Sequence, residues 1–480
     1  MTTHLLRRAR ALTVAAVTLT AGTVLGVTAP SAHAVDQTVP CTASTTTNGT
    51  NLQTAMSAVV GGGGGTITLD DYCVYELTVP ISGTTGLTPV SGGITVTVTT
   101  VSGLNTATIE RSTAGSTTPF NIFTVTGANS VLNLSHLSLL NGSAPDSGGA
   151  VRVLATATLN ADHMLFAGNR AVNDGGALLL SNAGTGSTAT ITTSTFSDNQ
   201  AGASGGAIRL QGSSTLNLSD SSVSGNRAKG NGGGIEGNIF TTGTAVTTLD
   251  SVTMTHNTAV NGGAIAMEGN GPLTVTNSTI SANRTIEGSG GGVYLANGRT
   301  NSFTGSHIDG NTATASDDNV ASGGGLFNSN FGAVTTLNTT TVANNQVVNA
   351  NGQGGGIAGV AGTVTLNSAT VTGNLVSGRF GKGGGLYSDD TDTPSVVNVN
   401  SSSVSSNKVV GTGAVSGGIY NSGATVALSS ATVDNNTAPL APAPGGVYTT
   451  VAIVPTGGSI NGNFPTNCLL SPAMVTGCVN

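Results

Sequence analysis

Acid–base chemistry needs carboxylates held as a pair, and the sequence offers three adjacent ones: Asp70-Asp71, Asp317-Asp318 and Asp389-Asp390, with Asp392 close to the last. Two carboxyl groups about 5 to 10 Å apart would serve glycoside hydrolysis. Neighbouring residues of a strand point to opposite faces, however, so an Asp-Asp dipeptide does not bring its own acids together. Among these stretches, the one holding Arg379, Lys382, Asp389 and Asp390 offers both signs of charge. Scattered exposed charges of this kind also describe a solvated loop. A second constellation is His136 with His163. Each lies three residues before an apolar strand position, Leu139 and Phe166, so the imidazoles would stack beside Asp162, a set that could take a metal. The same column continues as Thr193, Asp220, Ser251 and Asn277, which describes a polar turn, and neither a metal nor a cofactor is expected. Zinc-protease, phosphate-loop and calcium-repeat motifs are absent.

These side chains can be placed only through the repeat that carries them. Two patterns alternate. In one, a Gly pair or triplet precedes a small or aliphatic run: Gly148-Gly149-Ala150-Val151, Gly175-Gly176-Ala177-Leu178, Gly205-Gly206-Ala207-Ile208, and onward to Gly445-Gly446-Val447. In the other, an apolar residue stands three before Asn: Phe166 to Asn169, Phe196 to Asn199, Val223 to Asn226, and onward to Ile460 to Asn463. Between Asn169 and Asn463 the Asn recurs evenly, at a step that suits one three-strand coil with its turns. Alternation of Leu216 and Leu218 with Thr and Asn fits half-buried strands. Gly before each strand supplies positive φ or close approach to the next coil. The Asn falls at a turn, where equivalent amides about 4.8 Å apart would bond along the stack, a structural role.

With the aliphatic residue after the glycines facing inward, the next residue faces out. In order it is Arg152, Leu179, Arg209, Glu236, Ala266, Tyr294, Phe327, Ala358, Tyr387, Tyr420 and Tyr448. Rings therefore gather in one half. There the segments between the Asn and the glycines also lengthen, so that the stretch from Asn311 to Gly323 is far longer than that from Asn199 to Gly205. An exposed wall of Tyr294, Phe327, Tyr387, Tyr420 and Tyr448 bordered by long loops would stack sugar rings along an extended chain. The same stack would also stabilise the sheet by cross-strand contact.

Gly-Gly-aliphatic alternating with Phe-x-x-Asn resembles the repeat of the chlamydial polymorphic outer membrane proteins and of pectin-lyase-like β-helices, from about Gly148 to Asn463. The resemblance implies an all-β, right-handed parallel β-helix of about 11–13 coils, in a superfamily that includes adhesins, polysaccharide lyases and hydrolases. Two departures stand out. Most copies replace Phe by Val or Ile, and the short stretch from Asn463 to Asn480 leaves no room for the membrane barrel that ends those outer membrane proteins.

Composition agrees with a solenoid. Charged residues are 7%, Gly is 72 of 480 and Trp is absent, while a hydrophobic fraction of 37% is too high for a disordered chain. Residues 1–34 read as a secretory signal: Arg7, Arg8 and Arg10, an apolar run from Ala11 to Val27, and Ala32-His33-Ala34 as the cleavage site. Residues 35–110 are expected to form a cap and first coils, 111–463 the repeats, and 464–480 a second cap. In the first cap, Leu52, Met56 and Val59 share one helical face over residues 51–60, ahead of the strand Thr66 to Leu69. Beyond the leader, 11 basic side chains face 21 acidic ones, a net of −10 that disfavours nucleic acid and anionic lipid. No apolar run there is long enough to insert into a membrane. Four cysteines allow three pairings, and proximity in sequence favours Cys41 with Cys73 and Cys468 with Cys478. The expectation is a secreted or loosely surface-attached monomer, non-catalytic, that binds polysaccharide or a cell-surface glycan through the ring column. Alternatives are an extracellular polysaccharide lyase or glycoside hydrolase, and a passive structural solenoid.

Overall fold

The computed structural model describes residues 34–480 apart from 116–117, 182–185, 238–242, 297–299, 317–318, 330–331, 391–393 and 441–442. The leader, Asp317-Asp318 and Asp392 therefore lie outside the described residues. The chain is a parallel β-solenoid of about 14 turns, slightly more than the 11–13 coils expected. No helix among the described residues is long and apolar enough to cross a membrane.

The coils build three sheets of 27, 12 and 10 strands, the first coils contributing to the largest alone. The largest takes two strands per coil, and the residue that follows the first of them has positive φ. That residue is the polar column of His136, His163, Thr193, Asp220, Ser251 and Asn277, with φ between 47° and 57°. The column is thus a bend between two strands of one coil, and short polar side chains tolerate it best. Along Thr215–Ser219 the inward Leu216 and Leu218 are buried while Thr215 and Asn217 face out, and Phe166 stacks on Phe196 inside with ring centroids 4.4 Å apart.

Both expected uses of Gly are realised side by side. Gly205 turns the chain at φ +66°, whereas a Cβ on Gly206 would lie 2.0 Å from the Gly233 carbonyl of the next coil. The Asn column closes the other corner. Asn199 lies fully inside, where its Oδ1 accepts from the backbone N–H and Nδ2 of Asn169, both at 3.0 Å, and its own Nδ2 donates to the Phe166 carbonyl. This satisfies polar groups that a tight buried corner would otherwise strand. The ladder runs from Asn169 to Asn463 and ends on Asn467.

One end is closed by a helix, α1 (Thr45–Gly61), whose Leu52, Met56 and Val59 are fully buried, each worth about 1.5–3 kcal/mol. It starts ahead of the expected position because Ser44 caps it, accepting from the Thr47 N–H at 3.2 Å. Gln53 ties it to the coils through the Val79 and Gly86 carbonyls. Both expected disulfides form, Cys41–Cys73 beside α1 and Cys468–Cys478 at the other end.

Where the segments after Asn311 lengthen, they do not hang free. The strands of the ten-strand sheet grow from two residues to three, and Ala313, Ala321, Val347, Val376, Val409, Ala414 and Ala438 form a small core of their own.

Candidate functional site

The outward column lies on the outer face of the twelve-strand sheet, in the expected register: Arg209 pairs with Glu236, Tyr294 with Phe327, and Tyr387 with Tyr420, itself beside Tyr448. The rings stack with centroids 5.0 to 5.4 Å apart. They do not form an exposed wall. Tyr387 is 2% exposed and Tyr420 8%, while Tyr294, Phe327 and Tyr448 are half-buried. The loops expected to border the column fold over it. Val360 and Val415 pack against the rings, Lys382 Nζ sits 5.2 Å from the Tyr420 ring centre, and Tyr387 donates to Asp389 Oδ2 at 2.7 Å. Each ring carries roughly 150–250 Å² of largely apolar surface, so loops long enough to cover it do so. Burial pushes the hydroxyls of Tyr294 and Tyr420 up to about 12, helped by Glu268 beside the first and by Tyr448 and Asp389 beside the second, and Tyr387 is pushed higher still.

Toward the other end the same face carries charge, and here the structure brings together residues that the sequence does not single out as a site. Arg209 and Glu236 contact each other side by side, 5% and 0% exposed. Above them two hydrogen bonds cross from the loop before the strand to the loop after it: Gln211 Nε2 to Asp174 Oδ2 at 3.1 Å, and Asn231 Nδ2 to Glu268 Oε1 at 2.6 Å. Asp174 also lies 4.0 Å from Arg209 Nε. Burial lowers the Arg209 guanidinium from its ordinary value, against the pull of Asp174 and Glu268. The arrangement is three carboxylates around one arginine, roofed by amides and ending at Tyr294. Two coils from Arg209 along the same column, Arg152 lies 3.5 Å from Asp146. The signal available from sequence is Arg209 followed by Glu236 in one outward column; their partners lie in loops whose reach spacing does not reveal.

The structure places the other described candidate groups in separate local contacts. Arg379 is exposed and lies over its neighbour Phe380, 5.0 Å from the ring centre, in the turn before the strand Leu386–Asp389. Lys382 and Asp389 are committed to the tyrosines as described, and Asp390 sits against Gly423 of the following coil. Asp70 accepts from the Cys41 N–H at 2.8 Å and Asp71 from Ser102 and Asn105, which are loop-fixing roles. His136 and His163 do stack, with centroids 4.7 Å apart and planes within 7°, and His163 Nδ1 meets Asp162 at 2.8 Å. Parallel imidazoles present their faces to each other rather than converging their nitrogens on a point, and among the described residues no group of three or more His, Cys, Asp or Glu side chains is set to hold a metal.

Residues 193–211 match the family model of the Chlamydia polymorphic membrane protein repeat. In space this segment runs from the bend at Thr193 through Phe196 and Asn199 to Gly205-Gly206 and the strand Ile208–Leu210, one full alternation of the two patterns. The resemblance read from the sequence thus stands as a parallel β-helix carrying a polymorphic membrane protein repeat. No curated protein and no solved structure matches the chain.

Proposed function

We propose that this chain is a cell-surface β-helix protein that binds polysaccharide without catalysis along the outer face of its twelve-strand sheet. The observation that carries the reading is the placement of the half-buried Tyr294–Phe327 pair next to Glu268 and Asn231, an apolar ring surface bordered by hydrogen-bonding groups. Sugar recognition combines these two elements. The polymorphic membrane protein repeat supports attachment at a cell surface. Tyr387 and Tyr420, between Phe327 and Tyr448 along the column, take part as buried supports, not as contact groups. Retention on neutral polysaccharides, measured for the intact chain and for a Tyr294→Ala, Phe327→Ala variant, tests the proposal; retention that survives the double substitution unchanged removes the site.

A second reading, an extracellular polysaccharide lyase or hydrolase, rests on the convergence of Asp174, Arg209, Glu236 and Glu268. The roof over Arg209 and Glu236 works against it, since a substrate would have to displace two interloop hydrogen bonds. Shortened or unsaturated products from uronate polymers with calcium, lost in Glu236→Gln, would establish it, and absence of products across a broad panel retires it.

A further inference from the structure

The outer face of the ten-strand sheet carries a second surface, unrelated to the rings. Its outward column, in register from coil to coil, reads Ser143, Arg170, Gln200, Arg227, Thr258, Arg284 and Thr312. Arginine occupies every second rung from Arg170 to Arg284, which sets successive guanidinium groups about 9.6 Å apart. Arg170, Arg227 and Arg284 are exposed, as is Lys229, two residues beyond Arg227. The ion pairs among the described residues involve Arg152, His163 and Arg209, and none of these four cations. Four of the 11 basic side chains beyond the leader thus stand outside any ion pair on one strip of an acidic chain.

Folding does not call for them there. Like charges on directly neighbouring rungs destabilise a sheet, and the alternation with Gln200 and Thr258 relieves that repulsion while retaining the charge. Between the first rungs lies a hollow of about 350 Å³ lined by Ser143, Arg170, Val172, Gln200, Gly202 and Lys229. No side chain can fill it from below, because a Cβ on Gly202 would lie 1.9 Å from the Val172 carbonyl. Val172 itself is 63% exposed and offers an apolar contact beside two cations, an amide and a hydroxyl.

We propose that this strip binds an extended acidic polysaccharide through carboxylate or sulfate groups repeated along the chain. Cations at every second rung match a polymer with at least one anionic group per disaccharide, Gln200 and Thr258 meet hydroxyls between them, and Val172 receives the apolar face of a sugar ring. Single-stranded nucleic acid fits less well, since its binding sites pair cations with aromatic platforms and no ring lines this hollow. The surface is separate from the ring column, so its fate is independent of the reading above.

The test is retention of the intact chain on immobilised polygalacturonate, chondroitin sulfate, neutral dextran, single-stranded DNA and phosphatidylserine vesicles. The proposal expects retention on at least one acidic polysaccharide, weakened by salt, with at least a ten-fold loss of that affinity in Arg170→Gln, Arg227→Gln, Arg284→Gln, whereas the triple substitution leaves behaviour on dextran unchanged. The Tyr294→Ala, Phe327→Ala variant should bind the acidic polymer as the parent does. No retention on either acidic polysaccharide, undiminished binding by the triple variant, or equal binding to DNA or vesicles overturns it. If circular dichroism shows the triple variant misfolded, Arg170→Gln, Lys229→Gln reads the same hollow, and unchanged affinity there overturns the proposal as well.

Discussion

The side-chain oxygen of Asn257 accepts two hydrogen bonds from Asn226, one from its backbone N–H at 3.0 Å and one from its amide at 2.9 Å. The Asn257 amide in turn donates to the Val223 carbonyl and to Asn283 Oδ1. One side chain thus joins three coils at a corner with no access to water.

Replacing Asn257 with Ala removes all four bonds and leaves buried donors and acceptors unmatched, at about 1–3 kcal/mol for each stranded group. The expected loss, visible as a lowered denaturation midpoint, is at least about 3 kcal/mol. Asn217→Ala, on the outer surface of a strand, should change stability by less than about 0.5 kcal/mol. Equal behaviour of the two variants would contradict the structural role of the ladder.

Glu236 and Arg209 form a buried pair, so removing one partner strands the other. Glu236→Ala is expected to cost about 3–5 kcal/mol, whereas the joint change Arg209→Met, Glu236→Leu should restore most of the loss. Chemical denaturation of the three variants measures this. A double variant as unstable as the single one would show that the pair contributes through something other than charge compensation.

The buried tyrosines make stability sensitive to alkali. Burial raises Tyr75, Tyr294 and Tyr420 from an ordinary value of 10.0 to about 12, with Tyr387 above that. The folded state holds these protons where the unfolded chain would release them, so the stability is fully present below pH 10 and falls as pH rises through about 12. Ultraviolet titration of tyrosinate should show these four ionising late, together with loss of the near-ultraviolet circular dichroism. Early, reversible ionisation of these four tyrosines would refute the burial described for them.

The disulfide Cys41–Cys73 closes a loop of 32 residues around α1. Loop-closure entropy puts its contribution at about 3–4 kcal/mol. In a Cys41→Ser, Cys73→Ser variant, hydrogen exchange should accelerate across Thr45–Gly61 and the first coils while the coils beyond Asn169 keep their protection, because each repeat contacts only its neighbours. Uniform acceleration along the chain would show the solenoid to be a single cooperative unit.

Repetition makes most of the fold legible. Asn169 and its successors, the glycine pairs and the Val–x–Val alternation announce themselves because each recurs once per coil, and the inward or outward sense of Tyr387 or Arg209 follows from strand geometry alone. What covers an outward residue does not follow. Tyr387, expected at the surface, lies beneath it, because Val415 from a longer loop and Val360 from the turn after the neighbouring strand pack against the rings. The charged cluster escapes for a related reason: Asp174 and Gln211, or Asn231 and Glu268, are 37 residues apart and meet only across the width of a strand. Arg379 and Asp389 show the reverse, near in sequence yet engaged with different rings.

Along the whole Asn column each amide donates toward the carboxyl-terminal neighbour, over separations of 26 to 34 residues. Such a column has a direction but no preferred length. Any rung presents the same acceptor to the coil before it and the same donor to the coil after it, so a coil excised between two equivalent asparagines leaves ends that still fit. The number of coils, and with it the reach of both outer faces, can therefore change in whole steps without redesign of either cap.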